Sequence, residues 1–153
     1  MIENRLRELG FELPPPPLPA ATYEPFVKVG SLVFISGQLP SWKGDLKYVG
    51  KVGLAFSIED GQEAARLCAL NILTHLKVAC EGDLNRVVRC VRLGGFVNAT
   101  DDFKDHPKVI NGASELMIAV FGEQGRHARA AVGVNALPLG VAVEVDGIFE
   151  VDM

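Results

Sequence analysis

Two arginines stand in the segment Gly125-Arg126-His127-Ala128-Arg129-Ala130-Ala131-Val132-Gly133-Val134-Asn135-Ala136-Leu137-Pro138, which otherwise reads as an apolar strand. A guanidinium keeps its charge and presents a planar fork of donors, so an arginine enclosed in a pocket is a receptor for a small carboxylic acid. The same residue at a strand entrance has a plainer role, pairing with a surface carboxylate or standing in water. Residue types alone leave both readings open for Arg129, whereas Arg126 suits the solvated, negative end of a preceding helix. A second place for chemistry is Ser36-Gly37-Gln38-Leu39-Pro40. A glycine directly after an apolar strand lets backbone N–H and C=O groups approach a ligand closely, although a bulge or a strand exit uses glycine too.

Other reactive side chains are scattered. Cys68, Cys80 and Cys90 have no C-x-x-C spacing, and His75, His106 and His127 have no H-x-x-x-H spacing, so neither a metal site nor a cofactor is expected. The cysteines read as small buried hydrophobes and the histidines as surface or capping residues. The net charge of −4, with no basic run interleaved with aromatics, argues against nucleic acid as the main partner. No apolar run approaches the roughly 20 residues of a membrane span, and Met1-Ile2-Glu3-Asn4-Arg5 lacks the apolar core of a signal peptide. A cytoplasmic protein without membrane contact is the expectation.

Elements that would position these residues follow from periodicity. A short helix over Ile2 to Leu9 ends at Gly10, and Pro14-Pro15-Pro16-Pro17-Leu18-Pro19 fixes an extended path. Residues 1–19 are thus expected as a helix and proline-rich arm, a rigid spacer or a ligand for an aromatic groove, and residues 20–153 as one domain. Phe26 to Val29 and Ser31 to Ile35 form a hairpin about Gly30, and 41–53 reads as a surface loop. Ser57 caps a long helix in which Ala65, Cys68, Ile72, Leu76 and Ala79 share a face. Val87 to Leu93 is a strand, Asn98 to Asp102 a turn, and Pro107 opens a second helix with Val109, Ile110, Ala113, Leu116, Met117, Val120 and Phe121 on its stripe. From Val141 to Val151 alternation puts Val141, Val143, Val145, Phe149 and Val151 on one face and Glu144, Asp146 and Glu150 on the other.

The fold class is therefore α+β, a mixed or antiparallel sheet with two long helices on one face. The opposite face, expected to carry Ala131, Gly133 and Ala142 beside charges, is too apolar for open water, and packing sheets together in a closed symmetric oligomer would cover it.

Several ordered pieces resemble the YjgF/RidA (Rid) family, also called the L-PSP endoribonuclease family. They are Ser36-Gly37-Gln38-Leu39-Pro40, the helix around Cys68 and Asn71, Asp83-Leu84-x-x-Val87-Val88, Asp102-Phe103, Asn111, Arg129-x-x-Val132-x-Val134-x-x-Leu137-Pro138 and Val143-Glu144-Val145. The resemblance runs from about Ala20 to Ile148 and implies a chorismate-mutase-like fold and a homotrimer with sheets facing inward and ligand clefts between subunits.

It also implies hydrolysis of reactive 2-enamine/2-imine acids such as 2-aminoacrylate to 2-keto acids and ammonia. Arg129 matches the carboxylate-binding arginine, and Glu144, expected on a neighbouring strand and opposite Arg129, the glutamate that guides water. Gly37 matches a backbone contact, Asn111 a polar cleft residue, and Phe26 the place where many members carry tyrosine. Ala131 stands where many carry cysteine. The N-terminal arm and extra residues around 79–82 and 103–111 mark a longer branch. A non-catalytic trimer that binds or senses a small carboxylate is the alternative of another class, and the endoribonuclease of the family's other name has little support in this acidic chain.

Overall fold

The computed structural model describes residues 1–17 and 22–153, so the expected boundary at 19/20 lies outside the described residues. Helix α1 (Ile2–Glu8) is followed by strands β1 (Phe26–Val29) and β2 (Leu32–Gln38) and a small hairpin, β3 (Ser41–Trp42) and β4 (Asp45–Leu46). Helix α2 (Ile58–Ala79), strand β5 (Val87–Asn98), helix α3 (His106–Phe121) and strands β6 (Ala128–Val134) and β7 (Val143–Val151) complete the order. The large sheet runs β1-β2-β7-β5-β6. Its pairs are antiparallel except β5 with β6, which are parallel because α3 crosses over between them. A mixed sheet under two long helices is the α+β arrangement expected.

Local chemistry explains where the helices lie. Ser57 and Asp60 form a reciprocal capping box, with the Asp60 N–H donating to Ser57 Oγ at 3.1 Å and the Ser57 N–H to Asp60 Oδ2 at 3.1 Å, an arrangement that stabilises a helix start by about 1 kcal/mol. Pro107 sits in the first turn of α3, where its missing N–H costs no helical bond, and Gly122 ends that helix at φ +64°. Helix α2 covers β7 and β2, and α3 covers β5 and β6. Between helices and sheet lies the core, including Leu73, Leu76, Leu93, Ile110, Met117, Val145 and Phe149. Strand β7 alternates buried and half-buried residues throughout, as its sequence pattern requires.

Several boundaries differ from expectation. Strand β5 continues to Asn98, because its last residues pair with both β6 and β7. Gly37 lies inside β2, at a bulge where Ile35 faces Gly147 and Gln38 faces Val145. The segment 41–53 is more than a surface loop: it forms the β3–β4 hairpin and buries Val52, which bridges to Phe56 and Ala99. Val141 stands outside β7, although it bridges Val49.

Strand parity also corrects the composition of the open face. Ala131 and Gly133 pair with Gly95 and Val97 in the rows that face the helices, and Ala142 is fully buried. The open face instead presents Val27, Phe34 and Val132, each 41–52% exposed, beside Arg92, Glu144 and Asp146. The N-terminal segment is tied to the domain. Leu6 is buried in the core, α1 contacts α3, and Thr74 Oγ1 donates to the Pro14 carbonyl at 2.7 Å.

Candidate functional site

Arg129 enters from β6, the edge strand, in the row Ile35–Gly147–Leu93–Arg129, so its side chain leaves the sheet on the helix side. There α3 receives it. Nη1 donates to Asn111 Oδ1 at 2.9 Å and Ser114 Oγ at 3.1 Å, and Nη2 to the Pro107 carbonyl at 3.3 Å. Ser114 is held in turn by His127. His127 Nδ1 lies 2.6 Å from the Gly125 carbonyl, which can only accept, so in the neutral ring Nε2 accepts from the Ser114 hydroxyl at 2.8 Å. Three of the five guanidinium donors are thereby fixed. No carboxylate of the described residues pairs with Arg129, and Nε–H and one Nη2–H stay available to an anion. Arg126, by contrast, is exposed and pairs with Glu123 at 3.3 Å.

Glu144 lies on the other face. It pairs across with Phe96, and its carboxylate rests against the Cα of Gly37, where any Cβ would collide with it. Without a side chain, Gly37 lets the carboxylate lie against the backbone of β2. Burial, with the nearby Asp146 adding to it, pushes the Glu144 carboxyl above the usual carboxylate range. Asp146 is raised by burial too, against the pull of Arg92 at 4.0 Å.

The expected residues thus fall into two groups within one chain. Arg129 and Asn111 meet at the β6 edge, and Gly37 and Glu144 meet on the open face. Strand β5 separates β6 from β7, so Glu144 is neither on a strand neighbouring Arg129 nor opposite it in the same chain. Phe26 pairs with Ile35 on β1, at the far edge, four strand spacings or roughly 19 Å from β6, and packs against the core.

A cavity of about 550 Å³ opens beside Gly37, walled by Pro15, Pro16, Pro17, Tyr23 and His75. Tyr23 and His75 were not singled out from the sequence as site residues. His75 was read as a surface or capping residue, yet it is 3% exposed, because the proline arm crosses the flank of α2 that periodicity leaves to solvent. Cys68, Cys80 and Cys90 are all buried and unpaired, as small hydrophobes are. Among the described residues no cluster of His, Cys, Asp or Glu has the arrangement of a metal site. Among the described residues no helix is long and apolar enough to cross a membrane.

The family model "YjgF/chorismate mutase-like, putative endoribonuclease" matches residues 3–149, nearly the whole chain. The chain belongs to the YjgF/RidA family. It is 45% identical to Protein TCP17 of Trypanosoma cruzi, across 99% of this chain and 94% of that protein. The crystal structure of Atu1372, a protein of unknown function from Agrobacterium tumefaciens, is 48% identical with a TM-score of 0.92, over 99% of this chain and 94% of the other. RidA from the Antarctic bacterium Psychrobacter is 32% identical with a TM-score of 0.60, over 89% of this chain and 94% of its own. Atu1372 is matched along almost the full length, arm included, whereas RidA shares the family domain with less of its detail.

Two histidines give this YjgF/RidA-family protein an expected pH dependence. Burial lowers both imidazoles from the usual 6.5; at His127 the Gly125 carbonyl opposes this and the Arg129 charge adds to it. The unfolded chain then takes up protons before the native protein does, so their contribution is complete above 6.5 and is lost as pH falls below it toward the lower native values. Urea denaturation is expected to show a lower midpoint at about pH 6 than at about pH 7.5, with a smaller difference in His127→Asn. Glu144 and Asp146, raised from 4.5 and 3.8, act with the opposite sign: their protonation stabilises the native protein as pH falls through the raised values.

Proposed function

We propose that the protein hydrolyses 2-enamine/2-imine acids to 2-keto acids and ammonia in clefts between the subunits of a cytoplasmic homotrimer. The observation that carries this reading is Arg129, held on three donors by Asn111, Ser114 and Pro107 and left with two donors and no carboxylate partner among the described residues. An arginine so prepared is a receptor for a carboxylate. The two half-sites lie at different parts of one protomer. A head-to-tail ring, which carries the β6 edge of one protomer to the open face of the next, unites Arg129 of the first with Gly37 and Glu144 of the second. The same closure covers Val27, Phe34 and Val132. Residues 20–153 form the unit that assembles, with the helix and proline arm packed on it.

The chemistry then follows from the geometry. Arg129 fixes the substrate carboxylate and the Gly37 backbone borders the reacting carbon. Glu144, made more basic by its raised pKa, takes a proton from water as the oxygen attacks C2 of the imine. From the protonated imine this gives a carbinolamine, which receives that proton on nitrogen; the C–N bond then breaks as the hydroxyl proton passes back to Glu144, and ammonia leaves with a 2-keto acid in place.

The test is pyruvate release from 2-aminoacrylate generated continuously by a serine dehydratase. Added protein is expected to accelerate it. Release at the spontaneous rate, over a range of protein concentrations, overturns the hydrolase; Arg129-dependent binding of pyruvate without acceleration would instead assign a carrier or sensor of small carboxylates.

A further inference from the structure

Beside Gly37, the proline arm and helix α2 enclose a volume that a three-carbon substrate leaves largely empty. We infer that this cavity is a side-chain pocket of the same site, shaped for a 2-imino or 2-keto acid whose side chain is a flat apolar ring ending in a hydrogen-bonding group. The inference rests on the proposed function for the placement of the acid end, and its own content is the class of side chain.

Size and lining come first. About 550 Å³ falls in the range of small-molecule sites, roughly 300–1,000 Å³. The rings of Pro15, Pro16 and Pro17 form one wall, and Leu39, Leu46 and Leu139 contribute to the others. Apolar walls reward a ligand that touches them, and an acid without a side chain touches few. The proline wall is fixed, since Thr74 Oγ1 donates to the Pro14 carbonyl at 2.7 Å and Phe11 lies 5.5 Å beneath the Arg66 guanidinium.

His75 supplies the second, independent observation. Its side chain is 3% exposed and lines the cavity. Both histidine hydrogen bonds among the described residues are made by His127, and none of the described residues bonds the His75 ring nitrogens. Burial keeps the ring neutral, with one donor and one acceptor nitrogen, the complement of a hydroxyl. Gly37 borders the same cavity and carries Glu144 against its Cα, so a ligand with its reacting carbon at Gly37 extends its ring toward His75.

Isothermal calorimetry of the full chain with pyruvate, phenylpyruvate and 4-hydroxyphenylpyruvate tests this. Phenylpyruvate is expected to bind about 100-fold more tightly than pyruvate, and the added hydroxyl to gain about a further tenfold. His75→Phe loses the tenfold and keeps the 100-fold. In the wild type, the His75 imidazole resonances shift with 4-hydroxyphenylpyruvate and stay in place with pyruvate, a readout that needs no variant. Equal affinity for the three acids, or unmoved His75 resonances with the hydroxylated ring, overturns the pocket. Equal affinities together with accelerated pyruvate release from 2-aminoacrylate sink the pocket alone; ring-selective binding without acceleration sinks the hydrolase alone.

Discussion

Arg129→Ala is expected to reduce accelerated pyruvate release from 2-aminoacrylate by about 10²–10³-fold, the loss of a charge-assisted, two-donor carboxylate contact of roughly 3–4 kcal/mol. Arg129→Lys falls almost as far, since an ammonium is a point charge without the planar fork and cannot hold Asn111, Ser114 and an anion together. Arg126→Ala, which removes an exposed arginine paired with Glu123, leaves the rate unchanged. Asn111→Ala is intermediate, because Arg129 loses one of its three anchors. Steady-state rates of the four variants, with far-ultraviolet circular dichroism to establish that each is folded, provide the check. An Arg129→Ala rate within a factor of about two of wild type removes Arg129 from the site.

Gly112→Ala is expected to destabilise the fold. Gly112 faces α2 so closely that a Cβ would strike the backbone carbonyl of Gln62. An intruding methyl at such a contact costs about 3 kcal/mol, because a backbone carbonyl has no rotamer by which to move away. Replacing glycine within a helix by alanine gains about 1 kcal/mol. The net loss is therefore about 2 kcal/mol, seen as a lower urea midpoint with an unchanged slope. A midpoint at or above that of the wild type would mean that propensity outweighs the clash. The site feels the same change, since α3 carries Asn111, Ser114 and Pro107, the three residues on which Arg129 rests.

Much of this architecture was legible because its signals are local. The stripe from Ala65 to Ala79, the Ser57 cap, Pro107 at the start of α3 and the alternation of β7 each state a periodicity or a terminus that needs no distant partner. Burial of the three cysteines followed from the same patterns. Less legible was everything decided by pairing. The place of β5 between β6 and β7 set Arg129 and Glu144 two strands apart, their register put them on opposite faces, and the bulge in β2 put Gly37 beneath Glu144. Tyr23 and His75 carried no signal beyond residue type. The wall beside them is made by an arm some sixty residues away in sequence from His75, as the Thr74–Pro14 bond shows.

By itself the sequence determined the α+β class, the two long helices and the family, and it singled out Arg129 as the candidate to hold an acid. These depend on hydrophobic period, capping chemistry and an ordered set of motifs, which are properties of neighbouring residues. Tertiary structure alone decided which donors of Arg129 the described residues occupy, that the Glu144 carboxylate lies against Gly37, and that the proline arm walls a cavity beside His75. Those outcomes depend on strand order, strand parity and long-range contact, through which residues far apart in the chain are brought within a few ångströms of one another.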